Sequence, residues 1–430
     1  MNTSPLWPAP TPTAPISGTV TVPGSKSETN RALVIAALAA SPSTITGALR
    51  ARDTLLMEAA LTHLGARITA TGPHLHITPI PGTDLPADIT IDTGLAGTVM
   101  RFIPPLAALT SSRVHLDGDA AARRRPLHPL ADALTQLGAT VTAPQLPLTV
   151  IGPATGSHVT IDSSSSSQFI SALLLAGAAY PHGLTITHAG GPLPSLPHIE
   201  MTVDMLIRAG VNVTRLEETS WHVPHTAYPG LDMHIEPDLS NAAVFLVAAA
   251  VTGGTVTISG WPTGHTTQPG ALLLPLLEHM GCQWELSPAG LTLTGPPVGT
   301  LHGISADLTA LGEVAPTLAA ACALATGPST LTGIGHVRGH ETDRLAALTA
   351  ELTRIGCGCV ELADGLEITP PATREAYQPQ VWRSYEDHRM ATAGAIIGLL
   401  VPGMRVENIA TTAKTMPEFP QLWEDLLDAA

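Results

Sequence analysis

The sequence predicts an α/β protein assembled from six copies of one unit. Two observations carry this. A helical pattern ending in glycine recurs at Leu64-Gly65, Leu137-Gly138, Ala209-Gly210, Met280-Gly281 and Ile355-Gly356, at intervals of 73, 72, 71 and 75 residues. A second set of helices keeps the same period, with starts near Lys26, Gly97, Ser167, Ser240, Glu313 and Asp387. Six units of about 72 residues thus account for all 430 residues.

Each element has a local reason. Glycine suits the position just past a helix, where a positive φ is wanted. After each glycine comes a strand, a turn and usually a second strand, as in Ala66–Ala70 followed by Leu75–Ile77. Ahead of the glycine-ended helices, alternating strands are expected at Gly18–Val22, Arg113–Leu116, Gly183–Thr187, Gly254–Ile258, Thr330–Thr332 and Met404–Val406. One such unit buries one face only, so units should associate into larger globules.

Composition narrows the function. Apolar residues make up 44% and aromatics 3%, so the core must be built from Ala, Leu, Val and Ile. The net charge of −15 argues against a nucleic-acid partner, which needs a basic surface. The four cysteines form neither a disulfide framework nor a zinc pattern, and Cys357 and Cys359 are read as small core residues on one strand face. No apolar run is long enough to span a bilayer. The first fifteen residues hold five prolines and no basic residue; they read as an extended tail rather than a targeting peptide. A cytoplasmic protein without a membrane partner is expected.

The polar residues gather at equivalent points of the units. At the starts of one helix set lie Lys26, Ser27 and Arg31; Gly97, Thr98 and Arg101; Ser166, Ser167 and Gln168; Glu313; and Asp387, His388 and Arg389. At the starts of the other lie Arg125, Ser195 and Glu341, with Arg344 one turn on. Helix N-termini present unpaired N–H groups and a positive dipole end. Several aimed at one place make a pocket for multiply charged anions. The chain contains two lysines, Lys26 and Lys414, beside eighteen arginines, which suggests that those two positions need a compact ammonium.

Individual motifs have bland readings as well. Pro23–Ser27 lacks the spacing of a nucleotide-binding P-loop. Ser163–Ser167 can be a linker, but it stands between a strand and a helix, where hydroxyls cap or bind phosphate. In Arg123-Arg124-Arg125-Pro126, proline at the first helical position puts Arg125 near the N-cap, where a cation needs an anion. Glu341 and Arg344 should share a helix face, either as an ion pair or as site residues. His336 and His340 lack a third ligand for zinc. Asp387 is read as a helix cap and Arg389 as a ligand.

Together these segments resemble the 5-enolpyruvylshikimate-3-phosphate (EPSP) synthases, the enolpyruvyl transferases of the shikimate pathway, from about Ile16 to Trp423. Gly24–Ser27 with Asn30-Arg31, Ala96–Thr98 with Met100-Arg101, Arg125-Pro126, Ser166–Phe169, Glu341–Arg344, Asp387–Met390 and Ala413–Thr415 follow in the family's order. The resemblance implies a two-domain enolpyruvyl-transferase-like fold, each domain three βαβαββ-type units in an inverse α/β barrel. Residues 1–22 with 239–430 would form one domain and 23–238 the other, with a hinge near 22–24 and 236–239. It implies transfer of the enolpyruvyl group of phosphoenolpyruvate to the 5-hydroxyl of shikimate 3-phosphate, a step toward chorismate and the aromatic amino acids.

The resemblance also implies roles. Ser27, Arg31, Ser166, Ser167, Gln168, Ser195, Glu313 and His340 would hold shikimate 3-phosphate. Lys26, Gly97, Arg125, Gln168, Arg344, Arg389 and Lys414 would hold phosphoenolpyruvate. Glu313, Glu341 and Lys26 would be catalytic, with Glu313 near the hydroxyl and Glu341 near the methylene. No cofactor, no metal and a monomer are expected. Some positions depart from the family: Glu313 stands for a usual Asp, His340 and His336 for Lys and Asn, Leu95 for Asn, His198 for Tyr and Phe102 for Pro. The rivals are the sister UDP-N-acetylglucosamine enolpyruvyl transferases, whose loop cysteine is missing from Leu116–Arg125, and a noncatalytic anion-binding homologue.

Overall fold

The computed structural model describes residues 6–82 and 85–428. The chain divides into two compact units, Met1–Pro23 with Glu236–Ala430 (unit 1) and Gly24–Ile235 (unit 2). Pro23 and Glu236–Asp238 therefore lie with unit 1, not in the 23–238 segment expected above. The reason is local. Asp238 N donates to Pro23 O at 2.9 Å, and the Asp238 side chain caps the next helix through Asn241 N. Glu236 accepts from Thr266 and Gln268.

Among the described residues there are twelve α-helices. Unit 2 holds α1 (Lys26–Leu38), α2 (Arg52–His63), α3 (Gly97–Ala107), α4 (His128–Gln136), α5 (Gln168–Gly177) and α6 (Leu196–Arg208). Unit 1 holds α7 (Leu239–Thr252), α8 (Leu273–His279), α9 (Ala315–Ala323), α10 (Arg344–Arg354), α11 (His388–Gly398) and α12 (Phe419–Asp428). The five glycines past α2, α4, α6, α8 and α10 take φ of 99°, 95°, 91°, 103° and 89°. The periodic signal thus had a conformational cause.

Each repeat supplies a small mixed sheet. In one, Asp88–Asp92 runs parallel to Arg113–Asp117, which pairs antiparallel with Leu148–Ile151, and that with Thr140–Val141. Three sheets take in a strand from a distant part of the chain, two of them in parallel. Ser17–Val20 lies parallel to Thr255–Ser259 in unit 1, and Asp232–His234 parallel to Ser43–Thr46 in unit 2. Ser43–Thr46 is a strand the sequence reading lacked, and the strand expected at Gly18–Val22 belongs one place earlier in the repeat. The proline-rich tail is also corrected in part: Leu6–Pro8 is an antiparallel strand against Arg405–Glu407, with Trp7 tilted against Phe419. Residues 1–5 lie outside the described residues.

Helices α1, α3 and α5 form the centre of unit 2 and are buried nearly all round, as are α7, α9 and α11 in unit 1. A helix apolar on every side must sit inside, with the sheets outside it. The scarcity of aromatics serves this packing. A Cβ on Gly394 of α11 would come within 2.5 Å of the Trp382 ring, and one on Gly177 of α5 within 2.9 Å of Val223. Each unit has its own apolar core, and all four cysteines are free thiols. No described helix is long and apolar enough to cross a membrane.

Candidate active site

In unit 2 the expected residues sit on the first turns of the central helices. Lys26 opens α1 behind the Ser25 cap, and its ammonium lies 3.7 Å from Asp53, which is buried on the first turn of α2. Gly97 opens α3. A Cβ there would lie 2.9 Å from Arg101 Nη1 and 3.0 Å from Arg125 Nη1, so the missing side chain is what lets two guanidinium groups close on this backbone. Arg125 Nη1 also donates to Leu95 O at 3.4 Å. Arg101 stacks on the Phe169 ring and donates to Gln168 Oε1 at 2.9 Å, fixing the residue that opens α5. Ser166 accepts from Gln168 N, and Ser167 is buried as the N-cap of α5.

Arg125 is not at the N-cap of α4, because that helix starts at His128 with Pro129 in its first turn. Arg123 fulfils the bland reading, in an exposed pair with Asp117 that lowers the carboxyl pKa. Arg31 is largely engaged within the protein. It is 1% exposed; Nε donates to Thr202, Nη1 to Ser27 O, and Nη2 to Ser171 and His198 O, while the group packs on the Phe102 ring. Four of its five N–H groups are therefore engaged within the protein. Burial pulls its pKa down to about 10. Arg31 chiefly ties α1 to α5 and α6, leaving one Nη1 hydrogen for a ligand.

Ser195 precedes α6 at φ 51°, ψ 44°. A non-glycine residue in this left-handed region is held there by its surroundings, a state concentrated at functional sites. Its hydroxyl makes no capping bond to the helix it precedes.

In unit 1 the expected residues converge on one buried cation. The Arg344 guanidinium, wholly buried, meets Asp387 at 2.8 Å, Glu341 at 3.3 Å and Glu313 at 3.5 Å. Burial alone would lower its pKa, but Asp387, Glu313 and Glu341 together hold it above the ordinary value. Lys414 pairs with the other oxygen of Glu341. Arg389 opens the first turn of α11 and donates to Ser240 O at 2.7 Å, near the start of α7. Glu341 and Arg344 do not share a helix, since α10 begins at Arg344 with Asp343 as its cap. Asp387 caps α11 through Arg389 N, as read from sequence, but it is also the principal partner of Arg344, which the sequence reading missed.

His340 Nδ1 lies 3.8 Å from Glu313, and His336 stands edge-on to His340 with ring centroids 6.1 Å apart. Gly312 makes room for His336: a Cβ there would lie 2.4 Å from Nε2. Burial lowers the His336 pKa, against the pull of Glu313. Unit 1 thus gathers two carboxylates suited to proton transfer and three cations. Unit 2 gathers three cations around the starts of α1 and α3 and hydroxyls at the starts of α5 and α6.

A family model described as EPSP synthase (3-phosphoshikimate 1-carboxyvinyltransferase) matches residues 10–423. A 3-phosphoshikimate 1-carboxyvinyltransferase of Kocuria rhizophila is 52% identical over 436 aligned positions, covering 98% of this chain and 96% of that one. Among solved structures, an EPSP synthase from Acinetobacter baumannii aligns with a TM-score of 0.78 at 23% identity, over 98% of this chain and 97% of the other. The enolpyruvyl transferase NikO from Streptomyces tendae aligns with a TM-score of 0.74 at 17% identity, over 99% and 98%. The two structural likenesses bear on the fold alone. Family match and sequence identity, extending over nearly all of a chain whose repeats carry these residues in order, place it in the EPSP synthase (3-phosphoshikimate 1-carboxyvinyltransferase) family.

Proposed function

We propose that this chain transfers the enolpyruvyl group of phosphoenolpyruvate to the 5-hydroxyl of shikimate 3-phosphate, releasing phosphate, as a cytoplasmic monomer. The observation that carries the proton chemistry is the placement of Glu313 and Glu341 on one buried arginine, with Lys414 on the second carboxylate.

The substrate hydroxyl oxygen forms a bond to C2 of phosphoenolpyruvate as Glu313 takes its proton. C3 receives a proton from Glu341, with Lys26 and Lys414 as neighbouring ammonium groups. The tetrahedral adduct then loses phosphate by cleavage of the bond from C2 to the phosphate oxygen, the departing phosphate carries off the proton taken from the hydroxyl, and C3 gives a proton back to Glu341. Arg125, Arg344 and Arg389 with Gly97 and Gln168 grip the donor's carboxylate and phosphate; planar guanidinium forks suit both. Ser166, Ser167, Ser195, Ser27 and His340 hold the acceptor, and Arg31 contributes mainly by fixing α1 against α6. Cations already fixed around the adduct lower its energy without reorganising water.

The test is phosphate release by the purified chain with both substrates. Turnover that needs both, and falls on Glu313→Gln and Glu341→Gln, is expected. No turnover would leave a noncatalytic anion-binding homologue as the correct reading.

A further inference from the structure

Unit 1 holds a second cavity, of about 320 Å³, at the opposite end of α9 from Glu313. The segment leaving α9, Leu324–Pro328, forms one wall, and Thr369–Arg374 with Tyr377 forms another. Nine helical residues separate it from the start of α9, about 14 Å of rise. It shares no residue with the site described above.

Its polar groups differ in status. The Thr326 hydroxyl donates to Leu301 O at 3.0 Å, and the Tyr377 hydroxyl donates to Ala323 O. Arg374 Nη2 is buried with no hydrogen-bond partner. Its charged neighbour is the solvent-exposed carboxylate of Glu375, and Gly299 leaves the guanidinium uncrowded, since a Cβ there would stay 3.6 Å from Nη2. A buried donor in a native fold is almost always satisfied by protein, water or ligand. Gly327, on the Leu324–Pro328 segment, faces open space: a Cβ on it would meet nothing within 4 Å. Pro328, Pro370 and Pro371 supply rigid apolar wall. A concave pocket that combines apolar wall with threonine hydroxyls and a cation has the make-up of a small-ligand site.

We propose that this cavity binds a small organic carboxylate, its charged end on Arg374 and its apolar body against the prolines and Tyr377. The volume exceeds what a bare inorganic anion fills, and the apolar walls favour a carboxylate that carries a hydrocarbon body. A role for Arg374 only as a complement to the α9 C-terminal dipole would leave both the cavity and the buried Nη2 unexplained.

Benzoate is the probe, titrated calorimetrically into the full chain, with benzamide as its neutral counterpart. The titration is repeated with saturating shikimate 3-phosphate and inorganic phosphate, which occupy the other site. Benzoate should bind, those two ligands should not displace it, and benzamide should bind more weakly. Arg374→Met should weaken benzoate about tenfold or more, the loss of one charge-assisted hydrogen bond, and leave uninhibited turnover unchanged. Gly327→Val, which puts a branched side chain into the cavity from the Leu324–Pro328 segment, should abolish binding even if Arg374→Met fails to fold. No binding, displacement by inorganic phosphate or shikimate 3-phosphate, equal affinity for benzamide, or benzoate binding unchanged in Gly327→Val would each overturn the proposal.

Discussion

Replacing Asp387 by alanine removes two things at once. The carboxylate grips Arg344 through both oxygens, at 2.8 and 3.3 Å, and it caps α11 through Arg389 N. Both partners of the ion pair are fully buried. Removing one partner of a buried pair costs about 3–5 kcal/mol, because the other charge is stranded. Loss of a cap adds about 1 kcal/mol. Glu341 and Glu313 still face Arg344 at 3.3 and 3.5 Å, which favours the lower end, about 4 kcal/mol in all. With a urea dependence of about 2–3 kcal/mol per molar, the unfolding midpoint of unit 1 should fall by roughly 1.5 M. Tryptophan fluorescence reads this unit well, since five of the six tryptophans, Trp7, Trp261, Trp284, Trp382 and Trp423, belong to it. Trp382 donates directly to Met390 O in α11. Asp387→Asn keeps the cap and should lose less. The double variant Arg344→Met with Asp387→Ala strands no charge and should recover much of the loss. A midpoint shift under about 0.4 M for Asp387→Ala, or a double variant no better than the single one, would refute the account of Arg344 as a cation stabilised by its carboxylates.

Three further outcomes are expected. Lys26→Arg keeps the charge but puts a planar fork where an ammonium faces Asp53, and turnover in the phosphate-release assay should fall about 100-fold; near-normal turnover would remove Lys26 from the proton chemistry. Ser195→Gly should relieve the left-handed backbone and raise thermal stability by about 1 kcal/mol, yet raise the KM for shikimate 3-phosphate several-fold through the lost hydroxyl. Ser195→Ala should raise KM without the gain in stability. His336 has a lowered pKa, so its neutral form is favoured by folding and the unfolded chain binds its proton more readily. Its contribution is fully present above the ordinary value of about 6.5 and is lost as pH falls through the lower folded value. Urea midpoints should therefore decline on acidification, and less steeply in His336→Gln; identical pH profiles would contradict the burial of a neutral imidazole.

The repeat was legible because its marks are local. A glycine with positive φ past a helix depends on its immediate neighbours, and five positions in five took that conformation. The helix starts at Lys26 and Gly97 were equally visible, being set by adjacent capping and apolar patterns. Ser43–Thr46 was not legible: its four residues carry one strongly apolar side chain, and its parallel partner Asp232–His234 lies far along the chain. The surroundings of Arg31 were hidden for a related reason. Its identity matched a motif, but its orientation is set by Ser171, Thr202 and Phe102, on three other helices. The pairing of Asp387 with Arg344 spans 43 residues, and no spacing rule announces it. Local chemistry shows which residue types stand at the helix starts, whereas packing between repeats decides which partners their side chains meet.

The charges at the helix starts conflict with what isolated helices prefer. Lys26, Arg344 and Arg389 stand in first turns, where the dipole disfavours a cation by about 0.3–1 kcal/mol each. An acidic protein with −15 net charge has carboxylates to offset this, and it uses Asp53, Asp387 and Glu341 for the purpose. Arg344 and Lys414 are held by nearby carboxylates, while Arg101 and Arg125 crowd against Gly97 and donate to oxygens of Gln168, Gly97 and Leu95. An anion arriving at the start of α3 therefore meets two guanidinium groups and a favourable dipole end together. The repeat explains why this is possible: each unit contributes helices with the same polarity, so a single architectural rule brings chemically different first turns to one end of a core. The local preferences overridden there, cations at N-termini and Ser195 in a left-handed turn, mark the residues that the proposed reaction uses.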